Sequence, residues 1–180
     1  MTLVNRKPLL IVLSGLPGTG KTTIARLLAR RLRAPHIRID TIEQGIRNAG
    51  EAVGIAGYLV GYGMAGDHLA LGFDVVADSV NPLPKTRVAW QAVAQRNGAA
   101  LLNVEIICSD PVEHRRRVEG RVRDDTGLIP PTWAGVLMHD YEARLDHRLV
   151  LDTSMLSPVD AVSRIIDGMA AALDGSIVEG

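Results

Sequence analysis

The chain has 180 residues, a mass of 19.3 kDa and 20 Lys+Arg set against 20 Asp+Glu. A chain of this length buries about two-thirds of its unfolded surface, and the 47% apolar fraction is enough to fill one core. Zero net charge argues against a protein that works along phosphate backbones, and one cysteine excludes an internal disulfide framework or a zinc ribbon. No run reaches the roughly 18 apolar residues of a membrane span, and no signal-peptide pattern opens the sequence. The expectation is a single domain over residues 1–180 in a reducing, cytoplasmic setting, with neither nucleic acid nor membrane as partner.

Leu9-Leu10-Ile11-Val12-Leu13 is an unbroken apolar run closed by Ser14-Gly15, which predicts a parallel strand buried on both faces. After a glycine loop, Ile24, Leu27, Leu28 and Leu32 recur at helical spacing, and Ala34-Pro35 ends that helix. His36-Ile37-Arg38-Ile39 alternates as a short strand, and Asp40 opens another helical stretch with Glu43 three residues on, the spacing of a capping box. Residues 50–72 hold seven glycines, which permit either close helix packing or a substrate pocket walled by Tyr58 and Tyr62.

A second apolar strand runs from Phe73 to Ala77 and is closed by Asp78-Ser79. Residues 84–97 read as a helix stopped by Gly98, and 99–108 as another strand. Asp110-Pro111-Val112-Glu113 combines an N-cap, a proline in the first turn and an acid at the third position, and Ser157-Pro158-Val159-Asp160 repeats the signature after a last strand, Leu149-Val150-Leu151. The closing helix is expected to reach about Leu173, with a frayed tail over 175–180. Strands alternating with helices predict an α/β fold, a three-layer sandwich around a mostly parallel five-stranded sheet with right-handed crossovers.

The decisive segment is Gly15-Leu16-Pro17-Gly18-Thr19-Gly20-Lys21-Thr22, which satisfies G-x-x-x-x-G-K-[ST] at every fixed position, with Thr23 following. It lies after a buried strand and opens an amphipathic helix, the context in which such a loop binds phosphate. Backbone N–H groups turned inward by the glycines, together with the positive end of the helix dipole, favour di- and triphosphate oxygens. In this pattern Lys21 reaches the β- and γ-phosphates and the Thr22 hydroxyl ligates Mg²⁺, so ATP and Mg²⁺ are the expected cofactors. No Asn-Lys-x-Asp guanine-reading motif occurs, which argues against a GTPase, and a large ring-forming ATPase normally needs a further helical domain.

Asp40 stands just past the second strand, where ligand-binding residues of a parallel sheet gather, so it is the expected base for an attacking hydroxyl. The same residue also suits a helix start. Asp78 ends a hydrophobic strand as a Walker B acid does, and pairs with Thr22 as a candidate metal ligand; a turn role is the alternative. Arg117 and Arg121 stand four apart and share a helix face, which suits a phosphate clamp, although Glu113, Glu119, Asp124 and Asp125 also suit them to a solvated charged helix. A lid is expected over about 115–133, closing over the site to exclude water. Tyr58, Tyr62 and Asn81 are candidate acceptor-binding residues, the last placed just after the Walker B acid and equally suited to the turn before Pro82.

These motifs, in this order, resemble small P-loop kinases such as chloramphenicol phosphotransferase, gluconate kinase and adenylylsulfate kinase, with polynucleotide kinase and zeta-type toxin kinases as cousins. The resemblance rests on Gly15 to Thr22, on Ile39-Asp40 with Ile42-Glu43, on Asp78, on Arg117-x-x-x-Arg121 and on Leu149 to Thr153. It implies a sheet of nucleoside-monophosphate-kinase type, ATP on the P-loop, Asp40 as base, Arg117 and Arg121 as lid residues, and the loop at Asp152, Thr153 and Ser154 beside the adenine. Residues 43–72 and 81–87 match no acceptor signature of that group. The sequence therefore points to transfer of the γ-phosphoryl group to a hydroxyl of a small molecule. A nucleotide or nucleic-acid 5′-hydroxyl kinase and a nucleotide-binding regulator with slow ATPase activity are the alternatives.

Overall fold

The computed structural model describes residues 6–121 and 130–174. The first apolar run forms β1 (Leu9–Ser14), buried along its whole length because it takes the middle place in the sheet. Around it stand β2 (His36–Arg38), β3 (Val75–Asp78), β4 (Ala100–Ile107) and β5 (Leu149–Asp152), in the order β2-β3-β1-β4-β5, with every pairing parallel. The helices that return the chain are α1 (Lys21–Leu32), α2 (Ile39–Asn48), α3 (Ala56–Ala70), α4 (Pro84–Arg96), α5 (Pro111–Glu119), α6 (Trp133–Leu137) and α7 (Pro158–Asp174).

The pleat sends alternate residues of β1 to opposite layers. Leu9, Ile11 and Leu13 pack with Ile24 and Leu28 of α1 and Ala161 and Ile165 of α7, whereas Leu10 and Val12 pack with Ala65 and Leu69 of α3 and Trp90 and Val93 of α4. A continuous apolar run is therefore what a strand covered on both faces requires. Each fully buried Leu or Ile contributes about 1.5–3 kcal/mol relative to exposure.

Three local outcomes matter for the site. Asp40 does not cap α2: the N-cap is Arg38, no side chain caps the helix, and Asp40 lies within its first turn. β2 runs into α2 without a loop, which leaves no separate position for an Asp cap. The glycine-rich stretch is mostly helix, α3, and β3 starts later than expected because Asp74 sits at the entry edge, accepting the Leu9 N–H at 2.9 Å and pairing with Arg6. Asp110 caps α5 as its sequence predicts, accepting from Val112 N–H at 2.9 Å and Glu113 N–H at 3.2 Å. Part of the expected lid, residues 122–129 with Arg123, Asp124 and Asp125, and the tail 175–180 lie outside the described residues. No helix among the described residues is long and apolar enough to cross a membrane.

Candidate active site

The C-terminal ends of β1, β3 and β2 lie side by side, with Leu13 and Arg38 both in register with Asp78. The loop after β1, the acid of β3 and the start of α2 therefore meet at one end of the sheet. Between them opens a cavity of about 640 Å³ lined by Gly18, Gly20, Lys21, Thr22 and Thr23, by Asp40, Glu43, Gln44 and Arg47, by Tyr58 and Pro82, and by Arg117, Arg121 and His139.

The loop is built to present amides. Gly20 caps α1 with φ 91°, no side chain caps the helix and no acid stands in its first turn, so the first N–H groups of α1 carry an uncompensated positive field. Thr19 Oγ donates to Leu16 O at 2.9 Å, which closes the loop on itself, and Gly15 N–H donates to Val80 O at 3.2 Å, which ties its start to the segment after β3. Gly18 has φ +86°, and a Cβ there would stand 2.4 Å from Val118 Cγ2, so the loop lies directly against α5. Burial pushes the Lys21 ammonium below its ordinary pKa, against the attraction of Asp78 and Asp40.

Burial alone would raise Asp78, but His36, Lys21 and the Thr22 hydroxyl together hold its carboxyl below the usual carboxylate range. Asp78 Oδ2 lies 3.4 Å from His36 Nε2, within ion-pair reach, yet both atoms are buried without hydrogen-bond geometry to any partner. An ionised buried carboxylate with an unsatisfied oxygen beside a threonine hydroxyl suits Mg²⁺, which takes one or two protein oxygens and completes its shell with water and phosphate. Among the described residues no group of three or more His, Cys, Asp or Glu is placed to hold a metal ion.

Asp40 lines the same cavity as the loop, 39% exposed, with Arg38 Nη2 3.5 Å from its Oδ2. Arg117 and Arg121 line it too, but Arg117 is engaged: it donates to Glu113 at 2.7 Å, to Thr153 Oγ at 2.8 Å and to Thr153 O at 2.9 Å. Thr153 is buried, its hydroxyl 2.8 Å from Thr19 O and 3.0 Å from Ile107 O. The structure thus places Thr153 as a buttress behind the phosphate loop rather than as a cavity-lining group.

The candidate acceptor residues divide. Tyr58 lines the cavity, and its hydroxyl accepts the Asn81 N–H at 3.0 Å. Asn81 is fully buried at φ 51°, and its amide donates to Ser14 Oγ at 3.0 Å, so its side chain ties the β3–α4 loop to β1. Tyr62 stacks edge-on against Trp90 at 4.6 Å and donates to Thr86 O at 3.3 Å, inside the packing of α3 on α4. Sequence reasoning missed Gln44, Arg47 and His139 as lining residues. Gln44 and Arg47 follow from Asp40 once α2 is known to start at the strand end, since positions four and seven residues on share its face. His139 carries no local signal.

The family model described as AAA domain matches residues 10–130. A chain of Aeropyrum pernix bearing the name "Probable adenylyl-sulfate kinase" is 25% identical over 172 residues, covering 82% of this chain and 84% of that one. Among solved structures, the Mycobacterium tuberculosis APS kinase in complex with AMPPNP and APS superposes with a TM-score of 0.67 at 20% identity, over 92% of this chain and 99% of that one. A gluconokinase from Sinorhizobium meliloti gives 0.65 at 20% identity, over 95% and 97%. These likenesses show that the chain has the fold of small P-loop kinases.

Proposed function

The chain belongs to the AAA domain family, and from that premise we propose that it is an ATP- and Mg²⁺-dependent phosphotransferase that moves the γ-phosphoryl group to a hydroxyl of a small molecule. The observation that carries this reading is that Asp40 opens onto the same cavity as the phosphate-binding loop and its lysine. The names of the relatives, a sulfate-nucleotide kinase and a sugar-acid kinase, support it.

The N–H groups of Gly18, Gly20 and Lys21 would hold the triphosphate, and Lys21 would follow the charge that gathers between the β- and γ-phosphates. Arg121 would add a second cation on the phosphate side, and Arg117, through Thr153, would keep the loop in place. Asp40 would accept the proton of the acceptor hydroxyl as its oxygen bonds to phosphorus and the bond to the β-phosphate oxygen breaks, leaving ADP and a phosphate monoester. Thr22 and Asp78 would hold Mg²⁺, which supplies charge neutralisation on the phosphates.

Calorimetric titration with Mg-AMPPNP tests the nucleotide half of this reading. Saturable binding is expected in the wild type and its loss in Lys21→Ala; no binding in the wild type would refute it.

A further inference from the structure

We propose that the outward face of α3 is a contact with a second copy of this chain, in which two α3 helices pack antiparallel about a two-fold axis through Gly63. The inference concerns a surface away from the phosphate loop and does not depend on the phosphotransfer reading.

A helix on the surface of a domain ordinarily turns its large apolar residues inward and its charges to water. α3 departs from this. Its buried positions are Gly57, Gly61, Ala65 and Leu69. A Cβ on Gly61 would stand 2.3 Å from Ile39 Cδ1, so the small residues are what bring α3 down onto the start of α2. The larger side chains point the other way: Ile55, Leu59, Val60, Met64 and Leu71 are exposed, from 42% at Met64 to 72% at Leu71. No Lys, Arg, Asp or Glu occurs over residues 52–66. A helix that is apolar all round belongs in an interior or in a membrane, and the 15 residues of α3 fall short of the roughly 20 that cross a bilayer. A protein surface is what remains to cover it.

Three features fit that surface to another copy of the same face. The strip from Ile55 to Leu71 is centred on Gly63, where a Cβ would meet nothing within 4 Å. A two-fold axis there lets the helices approach closely and sets Ile55 of each copy against Leu71 of the other. The strip holds one acid, Asp67, and no Lys, Arg or Glu, so a strongly charged partner finds little to pair with. In the antiparallel arrangement Asp67 lies over the other copy's first turn of α3, which has neither an acid nor a side-chain cap and so favours a carboxylate. The zero net charge of the chain sets no long-range repulsion against self-association.

Sedimentation equilibrium of the full chain across about 1–100 μM tests the proposal, because a dimer forms by mass action. The mass is expected to rise with concentration toward twice the 19.3 kDa of the chain. Leu59→Glu, at an exposed position, and Gly63→Arg, which sets like charges face to face across the axis, should each raise the dissociation constant at least about tenfold, with an unchanged circular dichroism spectrum. At Gly63 the new side chain meets open space in the single chain, which keeps the test valid should Leu59→Glu fail to fold. A wild type that stays at 19.3 kDa throughout overturns the proposal, as does a dimer that both substitutions leave intact. A monomer that co-sediments with phosphatidylcholine vesicles overturns it too, and would assign the face to a lipid surface.

Discussion

His114 Nε2 lies 2.8 Å from the carbonyl oxygen of Pro17, which joins the first helix after β4 to the middle of the phosphate loop. The same imidazole stands edge-on to Trp133, 5.2 Å between ring centres, so one side chain touches the loop and the helix that follows residues 122–129. Val118 completes the contact by packing on Gly18.

A loop steadied in this way loses affinity when the contact is cut. Removing one hydrogen bond of this kind costs about 1 kcal/mol, so His114→Ala should weaken Mg-AMPPNP binding by about fivefold with the fold intact. Calorimetry reads the change, and an unaltered affinity would show that the loop holds its shape without α5.

Arg87 is a buried cation with no carboxylate partner among the described residues. It donates to four backbone carbonyls, Asn81 and Pro82 at 3.3 and 2.6 Å and Glu142 and Ala143 at 2.6 and 3.2 Å, and lies over the Tyr141 ring. It therefore straps the segment beyond His139 to the loop that follows Asp78. Arg87→Met leaves those carbonyls short of donors and should cost about 2–4 kcal/mol of stability. Hydrogen exchange should rise first at residues 81–83 and 141–144; uniform exchange across the molecule would contradict the strap.

Much of this was legible in the sequence, for reasons that differ by region. The phosphate loop, the five strands and the cap at Asp110 are local patterns, in which chemistry and backbone are set by neighbouring residues. Asp40 was placed correctly at a strand end but not its local geometry, because no propensity marks a strand that passes directly into a helix. Asn81 carried a turn signal, yet its burial and its bond to Ser14 depend on the β1–β3 pairing, a contact 67 positions apart. Arg87 carried no signal, since a buried guanidinium satisfied only by carbonyls looks like any surface arginine in a helix.

All three tyrosines are held neutral in the folded state. Burial raises Tyr58 and Tyr62, and burial with the Glu105 carboxylate at 2.7 Å pushes Tyr141 up to about 12 from an ordinary 10. An unfolded chain releases these protons near pH 10 and the folded one only above it, so stability should be flat below that value and fall as pH climbs toward about 12. Ultraviolet difference absorbance should show tyrosinate appearing together with unfolding. Ionisation near pH 10 with the fold retained would contradict these environments.

Phosphorus NMR of MgATP with wild type and Asp40→Asn over an acceptor panel reads whether Asp40 directs a phosphoryl group onto an alcohol. A new phosphate-monoester resonance is expected in the wild type, formed more slowly by a factor on the order of 10² to 10⁴ in Asp40→Asn, with nucleotide affinity preserved. Inorganic phosphate as the sole product in both proteins, at equal rates, would contradict it.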